Sequence, residues 1–262
     1  MTELERLANH LGDVGAICND AAFSMMLAHC GALRERVLRA AAACFGHRLM
    51  MDCVVPGGVS VDLGADGEAM LRRLVSATRD RFEPLVALYD GTASLQDRTV
   101  TTGIVRPALA ARFGCGGYVG RASGRAFDCR QTPGYPPYDS LAFDVPMRQD
   151  GDVNARVWIR IEEIRQSLRL IEQCLDRLPA GAVRVDAAPH GPVEGMALVE
   201  AFRGDVLAWV RIGADGSVDR CHLRDASWFQ WPLLEAAIEG NIVADFPLCN
   251  KSFNCSYSGH DL

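Results

Sequence analysis

Between Asp152 and Leu178, the residues Val157, Ile161, Ile164, Leu168, Ile171, Leu175 and Leu178 recur at alternating steps of four and three. With about 3.6 residues per helical turn, such steps put all seven on one stripe. A stripe that long has to be buried against other elements, so the chain is organised around helix packing. Arg160, Glu163, Arg169 and Glu172 fall opposite and read as the solvated side. Pro179 and Gly181 end the segment.

Three more long helices follow from the same periodicity. Leu4, Leu7, Leu11, Val14 and Cys18 mark the first, with Thr2 and Glu5 spaced as a capping box. The second runs from about Ala21 to Phe45 and stops at Gly46; the third fits Gly67 to Leu88, with Pro84 placed to kink it. Cys53-Val54-Val55 before Pro56-Gly57-Gly58 reads as a short strand and turn. Residues 91–112 suggest shorter helices, and 114–139 an ordered loop region. Arg203-Gly204-Asp205 and Ala214-Asp215-Gly216 separate three alternating runs, which predicts a small antiparallel sheet over 194–225. A short helix, Trp231 to Gly240, and an irregular tail close the chain. The fold class is therefore α+β and mostly α-helical, with long helices packed against a small sheet in a single domain over 1–262.

Composition excludes several functions. A net charge of -6 without a dense Lys/Arg cluster argues against nucleic acid. No apolar run approaches the roughly 18 residues that span a bilayer. None of the ten cysteines pairs as CxxC, so reduced core thiols are expected rather than disulfides. GCGGYVG has neither a P-loop pattern nor a βαβ setting. Arg121, Arg125, Asp128 and Arg130 read as a salt-bridged loop, against a partner or the chain's own core. Cys249, Cys255 and His260 are too few and wrongly spaced for structural zinc. His10 reads as a structural histidine, and Asp13 and Asp20, two helical turns apart, as a solvated face.

The segments ELERLANHLGDVGAICND, FGHRLMMDCVVPGGV, GGYVGRASGRAFDCR, YPPYDSLAFDVP, RIEEIRQSLRLIEQCLDRLP, VEAFRGDVLAWVR and FPLCNKSFNCSYSG occur in that order. Together they resemble the large subunit of energy-converting, hydrogenase-4-like nickel-iron hydrogenases and its relative, the 49 kDa subunit of complex I. The resemblance covers nearly the whole chain. It implies a hydrogenase-large-subunit-like fold and the C-terminal part of a longer pattern whose first half is missing. On it, Ser256 and Gly259 occupy the two cysteine positions that hold nickel and iron. Serine is a poor ligand and glycine has none, so the expectation is no cofactor held by this chain. Asp20 falls where complex I has an acid that pairs with a quinone-ligating histidine, and is expected to handle protons. Met50 replaces a histidine near the terminal cluster. Arg121, Asp128 and Arg130 match a loop motif at the interface with the cluster-bearing subunit. The implied partners are an iron-sulfur small subunit carrying a 4Fe-4S cluster, a possible quinone, and other subunits of a complex peripheral to the cytoplasmic face of the cell membrane. The resemblance thus implies an NADH-quinone-oxidoreductase-like or hydrogenase-like oxidoreductase subunit coupled to proton translocation. The alternatives are a non-catalytic structural subunit and an active hydrogenase with Cys249 or Cys255 shifted into ligand position. With a first half missing, the first two helices are expected to expose large apolar faces.

Overall fold

A computed structural model describes residues 1–187 and 191–261. Helix α1 (Thr2–Asp20) lies between α2 (Ser24–Phe45) and α7 (Val153–Asp176), and α3 (Ala65–Gly91) packs on both of the latter. Leu7, Leu11, Ile17, Val37, Val75, Phe82, Val157, Ile164 and Leu168 interlock as the main core. Six of the seven stripe residues of α7 are buried. The seventh, Leu178, lies beyond the helix end and is exposed. Asp152 starts α7 by accepting a hydrogen bond from Ala155 N at 2.7 Å, as an N-cap side chain should. Gly46 ends α2 in the left-handed region, at φ 80°. Pro84 sits inside α3 without ending it.

A two-residue hairpin, β1 (Val54–Val55) with β2 (Gly58–Val59), follows α2. Short helices α4 (Ala93–Thr99), α5 (Pro107–Arg112) and α6 (Gly117–Ala122) lead toward α7. The sheet is antiparallel in the order β3 (Val193–Ala201), β4 (Gly204–Ile212), β5 (Val218–Arg224). Gly117 meets its β3–β4 turn so closely that a Cβ there would lie 1.9 Å from Arg203 O. With φ at +63° as well, only glycine fits.

Four expectations are corrected. Thr2 lies within α1, preceded by Met1, and makes no capping bond, so the capping box does not form. The short helix after the sheet, α8, runs Ser227–Ala237, because Asp225 Oδ1 accepts from Ser227 N and starts it early. The tail is not irregular throughout. Phe246–Phe253 form α9, with Pro247 in the first turn and Leu248, Cys249 and Phe253 buried. Finally, α1 is not bare. It is enclosed by α2, α7 and α9, and only α2 leaves apolar residues such as Met25 and Leu27 in solvent.

Candidate functional site

The solvated face expected of α7 is instead buried in its first half. Arg156, Arg160 and Glu163 have essentially no exposed surface. Glu163 belongs to a connected cluster drawn from five segments: α1 gives Glu3, Arg6 and His10, α6 gives Arg121, the following loop gives Asp128 and Arg130, α7 gives Glu163, and β3 gives Glu200. Spacing of three and four places Glu3, Arg6 and His10 on one side of α1, facing α7 and the sheet.

Arg121 is the hub. Its Nε and Nη2 lie 2.9 and 2.7 Å from Glu163 Oε1. Its Nη1 donates to Glu200 Oε1 at 2.8 Å and Phe127 O at 2.9 Å, and lies 3.3 Å from Asp128 Oδ2. Arg130 grips Asp128 through Nε at 3.0 Å and Nη2 at 2.6 Å, and reaches Glu3 at 3.1 Å. Tyr138 and Ser167 hydroxyls each donate to Glu3 at 2.6 Å. His10 Nε2 lies 2.6 Å from Glu163 Oε2, while its Nδ1 is buried without a partner. Arg6 binds the strand end through the carbonyls of Glu200 and Ala201.

Charges this deep are tolerated only when paired and hydrogen-bonded. Burial pushes the Glu3 carboxyl up, but Arg6 and Arg130, with Ser167 and Tyr138, outweigh it and bring it down to about 2. Burial likewise opposes ionisation of Glu163, and Arg121 and His10 reverse it, holding the carboxyl well below its ordinary range. Burial lowers His10, with Glu163 opposing. The imidazole is therefore favoured neutral, donating from Nε2. Glu3 and Tyr138 also line a cavity of about 630 Å³ walled by apolar residues such as Val61, Leu71 and Leu175.

A second pair lies beside the cluster: Arg160 Nε donates to Asp13 Oδ2 at 3.1 Å, and Asn254 Nδ2 to Asp13 Oδ1 at 2.9 Å. The expectation of a solvated face at Asp13 is therefore corrected. Arg156 is held only by neutral acceptors, Gly103 O, Gly151 O and Ser252 Oγ.

Arg121, Asp128 and Arg130 do come together, but inside the chain. They pair with one another and with Glu3, Glu163 and Glu200, and their side chains are buried within the chain. Asp20 is elsewhere, half-buried at the last turn of α1, 3.5 Å from Asn19 Nδ2. Met50 takes a left-handed φ of 52° in the turn after α2. Beside it Leu49, Met51 and Val54 stand out in solvent.

Ser256 and Gly259 are neighbours. Gly259 N donates to Ser256 Oγ at 2.9 Å, Ser256 N to Ser227 Oγ, and Trp228 Nε1 to Gly259 O. A Cβ added at Gly259 would lie 2.9 Å from both Ser256 Oγ and Asp225 Cγ. This hydrogen-bonded turn offers no sulfur, and a side chain at 259 would have to displace those of Ser256 and Asp225, so as it stands it does not fit a nickel-iron centre. Cys249 packs against Gly103, Cys255 beside Gln230, and His260 against Trp231. Among the described residues, no group of three or more His, Cys, Asp or Glu is arranged to hold a metal.

Glu3, Arg6, His10, Glu163 and Glu200 were not singled out as site residues from the sequence. The available signal is that ELERLANH, RIEEIRQ and VEAF, three of the matching segments, each carry one arm of the cluster.

A helical scaffold clamped on a buried arginine–carboxylate cluster, with a small sheet contributing one acid, defines the class. The profile described as "Respiratory-chain NADH dehydrogenase, 49 Kd subunit" matches residues 20–195, and the chain belongs to this family. It is 30% identical to a carbon monoxide-induced hydrogenase of Rhodospirillum rubrum, over 96% of this chain and 70% of that protein. Formate hydrogenlyase subunit 5 of Escherichia coli is 31% identical over 100% and 46%, respectively. An NADH-quinone oxidoreductase subunit of Syntrophobacter fumaroxidans is 33% identical over 93% and 66%. The chain thus spans about half to two thirds of these relatives' lengths. The resemblance read from the ordered segments is borne out, as is the mostly helical α+β fold.

Proposed function

We propose that the chain is a subunit of a complex resembling NADH-quinone oxidoreductase or a hydrogenase-4-type enzyme. In that reading it forms a wall of the quinone or active-site chamber, next to a small subunit that carries a 4Fe-4S cluster. The observation that carries the reading is continuous similarity, at 31–33% identity over 93–100% of the chain, to subunits bearing both kinds of name. The chain itself holds no nickel-iron centre, because the turn at Ser256 and Gly259 lacks thiolates and is closed by its own hydrogen bonds. Arg121, Asp128 and Arg130 brace the inner side of the wall. The exposed strip of Leu49, Met51 and Val54 beside Met50 supplies apolar surface for a partner. Asp20 remains the proposed proton-handling acid. Among the described residues no helix is long and apolar enough to cross a membrane, and in this reading partner subunits hold the chain at one.

The closed turn favours a second reading, a non-catalytic structural subunit of such a complex. The two separate on the purified complex. The first reading expects iron and acid-labile sulfide without stoichiometric nickel, and quinone-linked turnover that falls at least tenfold in Asp20→Asn. Unchanged turnover in an intact complex favours the structural subunit. Stoichiometric nickel bound through this chain overturns both.

A further inference from the structure

The connected cluster contains three guanidiniums, on Arg6, Arg121 and Arg130, and four carboxylates, on Glu3, Asp128, Glu163 and Glu200. His10 cannot supply the missing positive charge cheaply. Protonated, it would point an Nδ1–H at no acceptor. The neighbouring pairs, Asp13 with Arg160 and Asp205 with Arg224, are each neutral in themselves. Arg156 lies two helical turns from Glu163 along α7 and keeps to neutral acceptors. The Met1 amine lies beyond Glu3 and loses basicity through burial. Arg125 and Arg203, both partly exposed, spend donors on the carbonyls of Cys115 and Asn254. A negative charge left uncompensated in a dry interior is costly, and protonating one carboxylate removes it.

Donor geometry tells which one. Glu3 receives Arg6, Arg130, Tyr138 and Ser167. Asp128 receives three N–H groups of Arg130. Glu163 has His10 Nε2 and two nitrogens of Arg121 within 3 Å. Glu200 receives Cys129 N, the weak thiol donor of Cys129 and Arg121 Nη1, and that last nitrogen is shared with Phe127 O and Asp128. Glu200 also stands directly across the β3–β4 ladder from a second acid, Asp205, whose Oδ1 is buried without a donor.

We propose that Glu200 is a neutral carboxylic acid at neutral pH, a protonation site enclosed within the cluster and set by its charge balance. Burial, reinforced by Asp128 and opposed by Arg121, does push this carboxyl above its ordinary range. An acid held this way keeps its proton when negative charge is added nearby and releases it when positive charge is added.

Infrared spectra of the full chain in heavy water test this, using glutamate labelled with ¹³C at the side-chain carboxyl. The expected result is a protonated-carboxyl band at neutral pH that shifts with glutamate labelling and vanishes in Glu200→Gln. It should also vanish in Glu163→Gln, where three guanidiniums face three carboxylates. A band that persists in either variant overturns the assignment. So does a wild-type spectrum without the band, or one whose band shifts only with aspartate labelling, and these two readings need no variant to fold. The measurement requires neither partner subunits nor turnover, so its failure leaves the proposed function standing, and the reverse also holds.

Discussion

The α1–α7 interface and the β3–β5 sheet invert each other. With the groups that α6, the loop after it and the end of β3 bring to it, the interface buries five arginines, five acidic side chains and a histidine. The sheet turns hydrocarbon outward: Val193, Val199, Val210, Ile212 and Leu223 share one face by register, with Val193, Val199 and Leu223 exposed. Hydropathy alone predicts the opposite arrangement. Buried ions persist where counter-charges and hydrogen-bond partners are held in fixed geometry, and an apolar face stays exposed where none of the described elements covers it.

Removing the hub should damage the interior most. Arg121→Met leaves Glu163, Glu200 and Asp128 short of their shared cation, and should cost about 3–5 kcal/mol in urea or thermal unfolding. A loss under ~1 kcal/mol would mean that the cluster is a passive filling. Acid comes next. Glu3 has a folded carboxyl near 2 against 4.5 unfolded, so its contribution is complete above the unfolded value and is lost as pH falls from about 5 toward 2. The linkage amounts to roughly 3 kcal/mol. Glu3→Gln should flatten that acid limb of the stability curve; an unchanged slope would place the acid sensitivity elsewhere. The smallest effect belongs to the sheet. Val199→Lys should move stability by no more than ~0.5 kcal/mol, while reducing self-association in sedimentation. A large destabilisation would show that the sheet face is not free.

The long helices were legible because periodicity survives without knowledge of partners. Gly46, Asp152 and the paired glycine turns set boundaries by local chemistry. Where expectation failed in the tail, the deciding contact was distant, since the packing of α9 against α7 is not written in FPLCNKSF. The early start of α8 turns instead on a local bond, Ser227 N to Asp225 Oδ1. For the candidate site, Arg121, Asp128 and Arg130 were visible within one loop motif. Glu3 and Glu200, 197 positions apart, share one cluster only once α1 and β3 are laid side by side.

Sequence by itself determined the long helices, the sheet and the family, because short-range backbone preferences and an ordered series of segments are written along the chain. It also determined that sulfur is absent at positions 256 and 259. Tertiary structure alone decided which charges are interior. A helix face is polar in the same letters whether water or an opposite charge lies beyond it, and only packing supplies the neighbour that makes burying Arg160 and Glu163 possible.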